Sequence, residues 1–253
     1  MSLSLGLGLA LTRNKGGWSP RSLGASLLGW FDAENAASVA QSAGAVSSWS
    51  DLVSGNALTQ GLAAQKPVWA ASSLNNRPGV TFDGADDNLS SSVVWLPTGS
   101  TGCEIWSLAS QSLAAATTGV RRIFAYGGTT NNDSRFLSRT TTGTVNAAAV
   151  SVGTGAASSS TGTEFTGIDF SGVHAVRGIS SPTQITAAID GSSWFPGSAV
   201  PATASSGVTK LGVSTNGSGF FAGVLNTVII TSLLTSDQAA QLLKYLKKRG
   251  GLS

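Results

Sequence analysis

Trp30-Phe31-Asp32-Ala33, Trp49-Ser50-Asp51, Ser54-Gly55-Asn56 and Thr81-Phe82-Asp83-Gly84-Ala85-Asp86-Asp87 set aromatics against Asp, Gly and Asn at turn-sized intervals. Large apolar side chains fit the packed face of a sheet, while Asp-Gly and Gly-Asn supply tight turns between strands. The same alternation continues on both sides. Strand-like runs fall at residues 27–32, 45–49, 57–60, 79–82 and 88–95. Others fall at 103–109, 121–126, 134–138, 144–150, 173–179, 184–189, 208–213 and 220–230. Many short strands with regular turns predict an all-β sandwich or barrel. Residues 153–162 and 196–206 are rich in small polar residues and are expected as exposed loops.

Hydrophobic residues make up 41% of the 253-residue chain, enough for a core, while charged residues reach only 11%, against roughly 25% in an ordinary soluble domain. The surface is therefore expected to be small, neutral and polar. A formal charge of +3, with no basic stripe interleaved with aromatics, argues against nucleic-acid binding. Cys103 is the single cysteine, so no intrachain disulfide forms. No apolar run reaches membrane-spanning length, and no membrane insertion is expected.

Leu3, Leu5, Leu7, Leu9 and Leu11 alternate with small residues, the period of a strand with one apolar face. This start lacks a basic n-region and does not read as a signal peptide. Residues 1–24 are expected to form an extended assembly arm, and residues 25–253 one domain. A single helix is predicted over 236–249. Thr235 and Gln238 make a capping box, Ala239, Leu242, Leu243 and Leu246 make one apolar stripe, and Lys247, Lys248 and Arg249 sit in the last turn, with Gly250 as the stop.

In order, Leu28-Gly29-Trp30-Phe31-Asp32-Ala33, Val46-Ser47-Ser48-Trp49-Ser50-Asp51, Thr59-Gln60, Pro67, Arg77-Pro78, Val80-Thr81-Phe82-Asp83-Gly84 and Asp86-Asp87-Asn88-Leu89 resemble the concanavalin A-like, laminin-G-like jelly-roll family of bacterial and phage proteins. Ile189-Asp190-Gly191, Leu211-Gly212 and Phe221-Ala222-Gly223-Val224-Leu225 resemble that family's later segments, so the likeness runs over residues 27–249. The resemblance implies a concanavalin A-like jelly-roll sandwich of two antiparallel sheets with a short C-terminal helix. The first two dozen residues are similar to virion proteins of tailed phages. Together these imply a non-enzymatic virion structural protein, made in the host cytoplasm, that serves in capsid decoration, as a head spike or in a tail fibre. Its expected partners are other virion proteins, copies of itself and host-surface glycans. A free bacterial carbohydrate-binding lectin is the alternative.

Glucanases of this fold carry a Glu-x-Asp-x-x-Glu strand, and the three glutamates here, Glu34, Glu104 and Glu164, do not form one. His174 stands alone in a strand, so no catalytic set assembles and no enzyme is expected. Asp83, Asp86 and Asp87 group three carboxylates, which is oxygen chemistry suited to Ca²⁺, although Asp-Gly turn capping explains the same residues; no cofactor is required. Trp194, Phe195, Trp69 and Trp95 are the candidate glycan platforms, since sugar rings stack on exposed aromatics. Trp30, Trp49 and Trp106 are expected in the core.

Overall fold

The computed structural model describes residues 17–99, 101–111, 119–128, 134–141, 147–153, 163–166, 171–181, 185–192, 195–196 and 207–253. The strands are β1 (Leu27–Asp32), β2 (Val39–Ser42), β3 (Ala45–Ser50), β4 (Ala57–Thr59), β5 (Val68–Leu74), β6 (Arg77–Asp83), β7 (Leu89–Ser91), β8 (Cys103–Gln111) and β9 (Gly119–Gly127). They continue as β10 (Ser134–Thr141), β11 (Ala147–Gly153), β12 (Thr163–Thr166), β13 (His174–Ser180), β14 (Ile185–Ile189), β15 (Phe195–Pro196), β16 (Val208–Leu211) and β17 (Ala222–Thr231). The helix α1 (Ser236–Gly250) follows. Among the described residues no helix is long and apolar enough to cross a membrane.

The named strands pair antiparallel throughout. One run of neighbours is β2-β3-β4-β7-β16-β9-β10-β11-β12. The other is β1-β17-β8-β13-β14-β15, with β6 on the first half of β17 and β5 beside β6. A single pairing, Ala45 with Val68, joins β3 to β5 and makes the whole one curled sheet. The all-β expectation with one C-terminal helix holds at this level. Two separate sheets were expected, and the strands form one connected system instead, because β5 bridges the two runs.

The curl encloses the main core. Phe31, Phe82, Ile105 and Val228 from one run meet Trp49, Leu58, Leu89, Phe124 and Leu211 from the other. Phe31 lies 6.0 Å from Trp49, edge-on, and 6.0 Å from Phe124. A second cluster lies on the outside of the sheet. There Trp30, Trp106, Leu108 and Ile229 pack under Leu242 and Leu246 of α1. Trp30, Trp49 and Trp106 are all buried, as their strand positions predict.

Local chemistry follows the sequence closely at several joints. Ala43-Gly44 between β2 and β3, and Asn75-Asn76 between β5 and β6, both hold positive φ at two successive residues, the turn geometry that matches strand twist in two-residue hairpins. The Thr235–Gln238 capping box forms in both directions. The helix runs one residue past its expected end at Arg249 and takes in the expected stop. Gly250 remains helical and close to Leu108, where a Cβ would meet its side chain at 2.9 Å, and Gly251 takes the left-handed cap at φ 67°. Arg249 is one of the three cations expected in the last helical turn. It is buried, donating to Asp32 Oδ1 and Oδ2 at 2.5 and 2.9 Å and to the Tyr245 hydroxyl at 2.5 Å.

Candidate functional site

Most acidic side chains of the described residues are committed to structure. Glu104 is buried in β8, where its carboxylate accepts from Arg177 Nε and Nη2 at 3.0 and 2.8 Å, from Trp106 Nε1 at 2.9 Å and from the Leu234 amide at 3.0 Å. The Arg177 guanidinium also stacks 4.4 Å from the Trp106 ring centroid. His174 meets Asp190 at 2.5 Å, and Asp190 also accepts from the Ala175 amide. Asp51 accepts from the Trp30 amide and from Trp95 Nε1. These contacts tie Glu104, Asp190 and Asp51 to the sheet.

Asp83, Asp86 and Asp87 differ. They form the one cluster of three metal-ligating side chains among the described residues, with carboxylate oxygens within 4.8 Å of one another. Asp83 ends β6, and its Oδ1 accepts from the amides of Ala85, Asp86 and Asp87. Asp87 Oδ2 returns the contact by accepting from the Asp83 amide at 2.9 Å. Gly84 makes the turn possible: its φ is +82°, and a Cβ there would lie 2.6 Å from Ala222 Cβ. Arg121 donates to the Gly84 and Phe220 carbonyls and holds the turn against the start of β17. Asp87 is buried, and desolvation pushes its carboxyl up to about 6. The Asp83 amide opposes that rise, and the neighbouring Asp83 and Asp86 charges add to it. Turn capping accounts for one oxygen of Asp83 and one of Asp87. The remaining oxygens could supply part of the shell of about six to eight that Ca²⁺ takes.

A cleft of about 410 Å³ opens beside this turn, at the end of β6, β17 and β8. Register builds it. Val224 lies between Thr81 and Ser110, and Gly223 lies between Phe82 and Gln111. Thr81, Asp83, Ser110, Gln111 and Ser171 line the opening with hydroxyl, carboxylate and amide groups. Gly223 is needed where it stands, since a Cβ would come within 2.1 Å of the Ser110 carbonyl. Gln111 is 2% exposed, and its Oε1 meets no donor among the described residues. A buried acceptor left unpaired costs about 1–3 kcal/mol.

Of the residues singled out in the sequence, Asp83, Asp86 and Asp87 are brought together at this cleft. Trp69 is half-buried against the core and gives its Nε1 to the Ala33 carbonyl at 3.0 Å. Trp95 is likewise half-buried, 6.4 Å from Phe31, with its Nε1 on Asp51. Both rings lean inward and have used their polar handle. Phe195 is in β15, while Trp194 and the arm residues Leu3, Leu5, Leu7, Leu9 and Leu11 lie outside the described residues. Sequence reading missed Thr81, Ser110 and Gln111. They come from two strands far apart in the chain, and only the register through β17 unites them.

No protein-family model matches the chain, and no curated protein matches it in sequence. Solved structures share the fold. Domain 4 of AbnA, a GH43 extracellular arabinanase from Geobacillus stearothermophilus, in complex with arabinotriose, has a TM-score of 0.57 at 15% identity, covering 87% of this chain and 98% of that one. An arabinofuranosidase complexed with arabinofuranosyl-alpha-1,2-xylobiose has a TM-score of 0.56 at 13% identity, covering 80% of this chain and 50% of that one. Trypanosoma rangeli sialidase in complex with sialic acid has a TM-score of 0.58 at 13% identity, covering 89% and 33%. This chain thus spans about half of the arabinofuranosidase and a third of the sialidase. These likenesses correct the expectation of a non-enzymatic virion structural protein. The fold is found here in carbohydrate-active enzymes and in a domain of one, and the two dozen N-terminal residues on which the virion reading rested are a thin basis against that.

Proposed function

We propose that this chain is a glycan-recognition domain of the kind built into glycan-processing proteins, with a jelly-roll version of the curled sheet as its scaffold. The observation that carries this reading is the cleft at the end of β6, β17 and β8. There Thr81, Ser110, Ser171, Asp83 and Gln111 line one opening, and Gln111 Oε1 has no hydrogen-bond partner among the described residues. Oligosaccharides offer hydroxyls that both donate and accept, and a small set of fixed polar groups orients them. The likeness to an arabinotriose-bound domain over nearly its whole length supports pentose oligosaccharides as the first ligands to test. Calorimetric titration with arabinotriose and xylotriose is expected to show binding. Replacing Gln111→Met, which keeps the volume and removes the acceptor, is expected to weaken it about tenfold. Unchanged affinity in that variant, or no binding of any neutral oligosaccharide, rejects the reading.

Hydrolysis in the same cleft is a second reading, favoured by one observation: Asp87 holds its proton to about pH 6 beside two further carboxylates whose oxygens lie within 4.8 Å. Retaining glycoside hydrolysis uses a protonated carboxyl beside an ionised one. Release of nitrophenol from 4-nitrophenyl pentosides would then fall as pH rises through about 6, where Asp87 loses its proton. It would vanish in Asp87→Asn. No release above buffer removes this second reading and leaves binding untouched.

A further inference from the structure

A different groove, about 470 Å³, lies on the outer side of α1. Trp18 and Tyr245 form its aromatic corner, with ring centroids 5.6 Å apart and planes tilted by 59°. Gln241, Lys244, Tyr245 and Lys248 fall at helix spacings of three and four, so they share one face beside Trp18. Neither lysine has an ion-pair partner among the described residues, and both side chains are exposed. Arg249, which the sequence groups with them, is spent on Asp32 inside the molecule. The helix-end explanation covers a cation in the last turn, but it does not explain why two free cations flank an aromatic corner and an exposed amide.

The geometry points to a second saccharide site here, one that takes a sugar ring bearing a carboxylate. The tilted Trp18 and Tyr245 rings offer an apolar wall to one face of the ring. The Gln241 amide can both donate to and accept from hydroxyls, and Lys244 and Lys248 supply the positive field for the acid. Exposure of the lysines makes the charge contribution salt-sensitive. This assignment borrows only its ligand class from the glycan reading of the β6-β17-β8 cleft, and its residues are separate.

Titration of the full chain with trigalacturonic acid tests it, with neutral galactotriose, inorganic sulfate and triglutamate as comparison ligands. Trigalacturonic acid is expected to bind at least about tenfold more tightly than each of the three, and more weakly as salt is added. The pair Lys244→Gln with Lys248→Gln, and separately Trp18→Ala, are each expected to lose about tenfold, while Trp18→Phe retains binding. Gln111→Met should leave it unchanged, which separates failure here from failure of the cleft. Equal binding of the neutral trimer overturns the proposal. So does equal binding of sulfate or triglutamate, which would show attraction to charge alone, and so does unaltered affinity in the lysine variant.

Discussion

Asp87 shows how one side chain carries both a structural and a chemical consequence. Its carboxylate accepts from the Asp83 amide, yet burial and two neighbouring acids push its proton affinity up to about 6 from the ordinary 3.8. A folded-state value above the unfolded one means that folding favours the protonated form. The stabilising contribution is complete below about 3.8 and is lost as pH rises through about 6. Asp87→Asn keeps an acceptor for the Asp83 amide and removes the charge. The variant is therefore expected to gain about 1 kcal/mol over the parent at pH 8, once solvent screening is allowed for, and to lose that advantage at pH 4. Urea titrations of both proteins at the two pH values decide it. An advantage of equal size at both would mean that charge is not what matters at this position.

At the scale of elements, strands were legible wherever apolar residues alternated. β1 and β14 begin or end where the pattern does, and the capping box placed the start of α1. β5, residues Val68–Leu74, escaped because Val68-Trp69-Ala70-Ala71 is apolar at every position and Ser72-Ser73 polar at both, so no alternation marks it as a strand. That omission had a cost for topology, since β5 is the strand that joins the two runs through Ala45 and Val68. β2 and β15 were too short to show a period. The site divides in the same way. Its acidic half, Asp83 to Asp87, is contiguous and was visible as a cluster. Its amide and hydroxyl half depends on which strand end lies across β17, and no local residue pattern encodes that register. Trp69 and Trp95 looked like platforms because the sequence shows an indole but not where its N–H goes, here Ala33 and Asp51.

For the whole molecule, closure of the chain is the decisive feature. β1 pairs with β17, and α1 then lies across the outer face of that same pair. Arg249, near the C-terminus, reaches back 217 residues to Asp32 at the end of β1 and also meets Glu34 at 3.2 Å. Desolvation works against the Arg249 charge, but the Asp32 bond and charge, joined by Tyr245 and Glu34, together hold the guanidinium protonated beyond its ordinary range. Removing one member of a buried ion pair leaves the other without compensation, which typically costs about 3–5 kcal/mol. Arg249→Ala is therefore expected to lose about 3 kcal/mol, read as a lower urea midpoint at unchanged slope. The unchanged slope matters as much as the midpoint. If α1 and the curled sheet form one cooperative unit, the variant unfolds in a single transition with the same surface exposed. A separate early transition that releases only helical signal would instead show α1 to be an appended element, and the Arg249–Asp32 pair to be a local clasp rather than the closure of the fold.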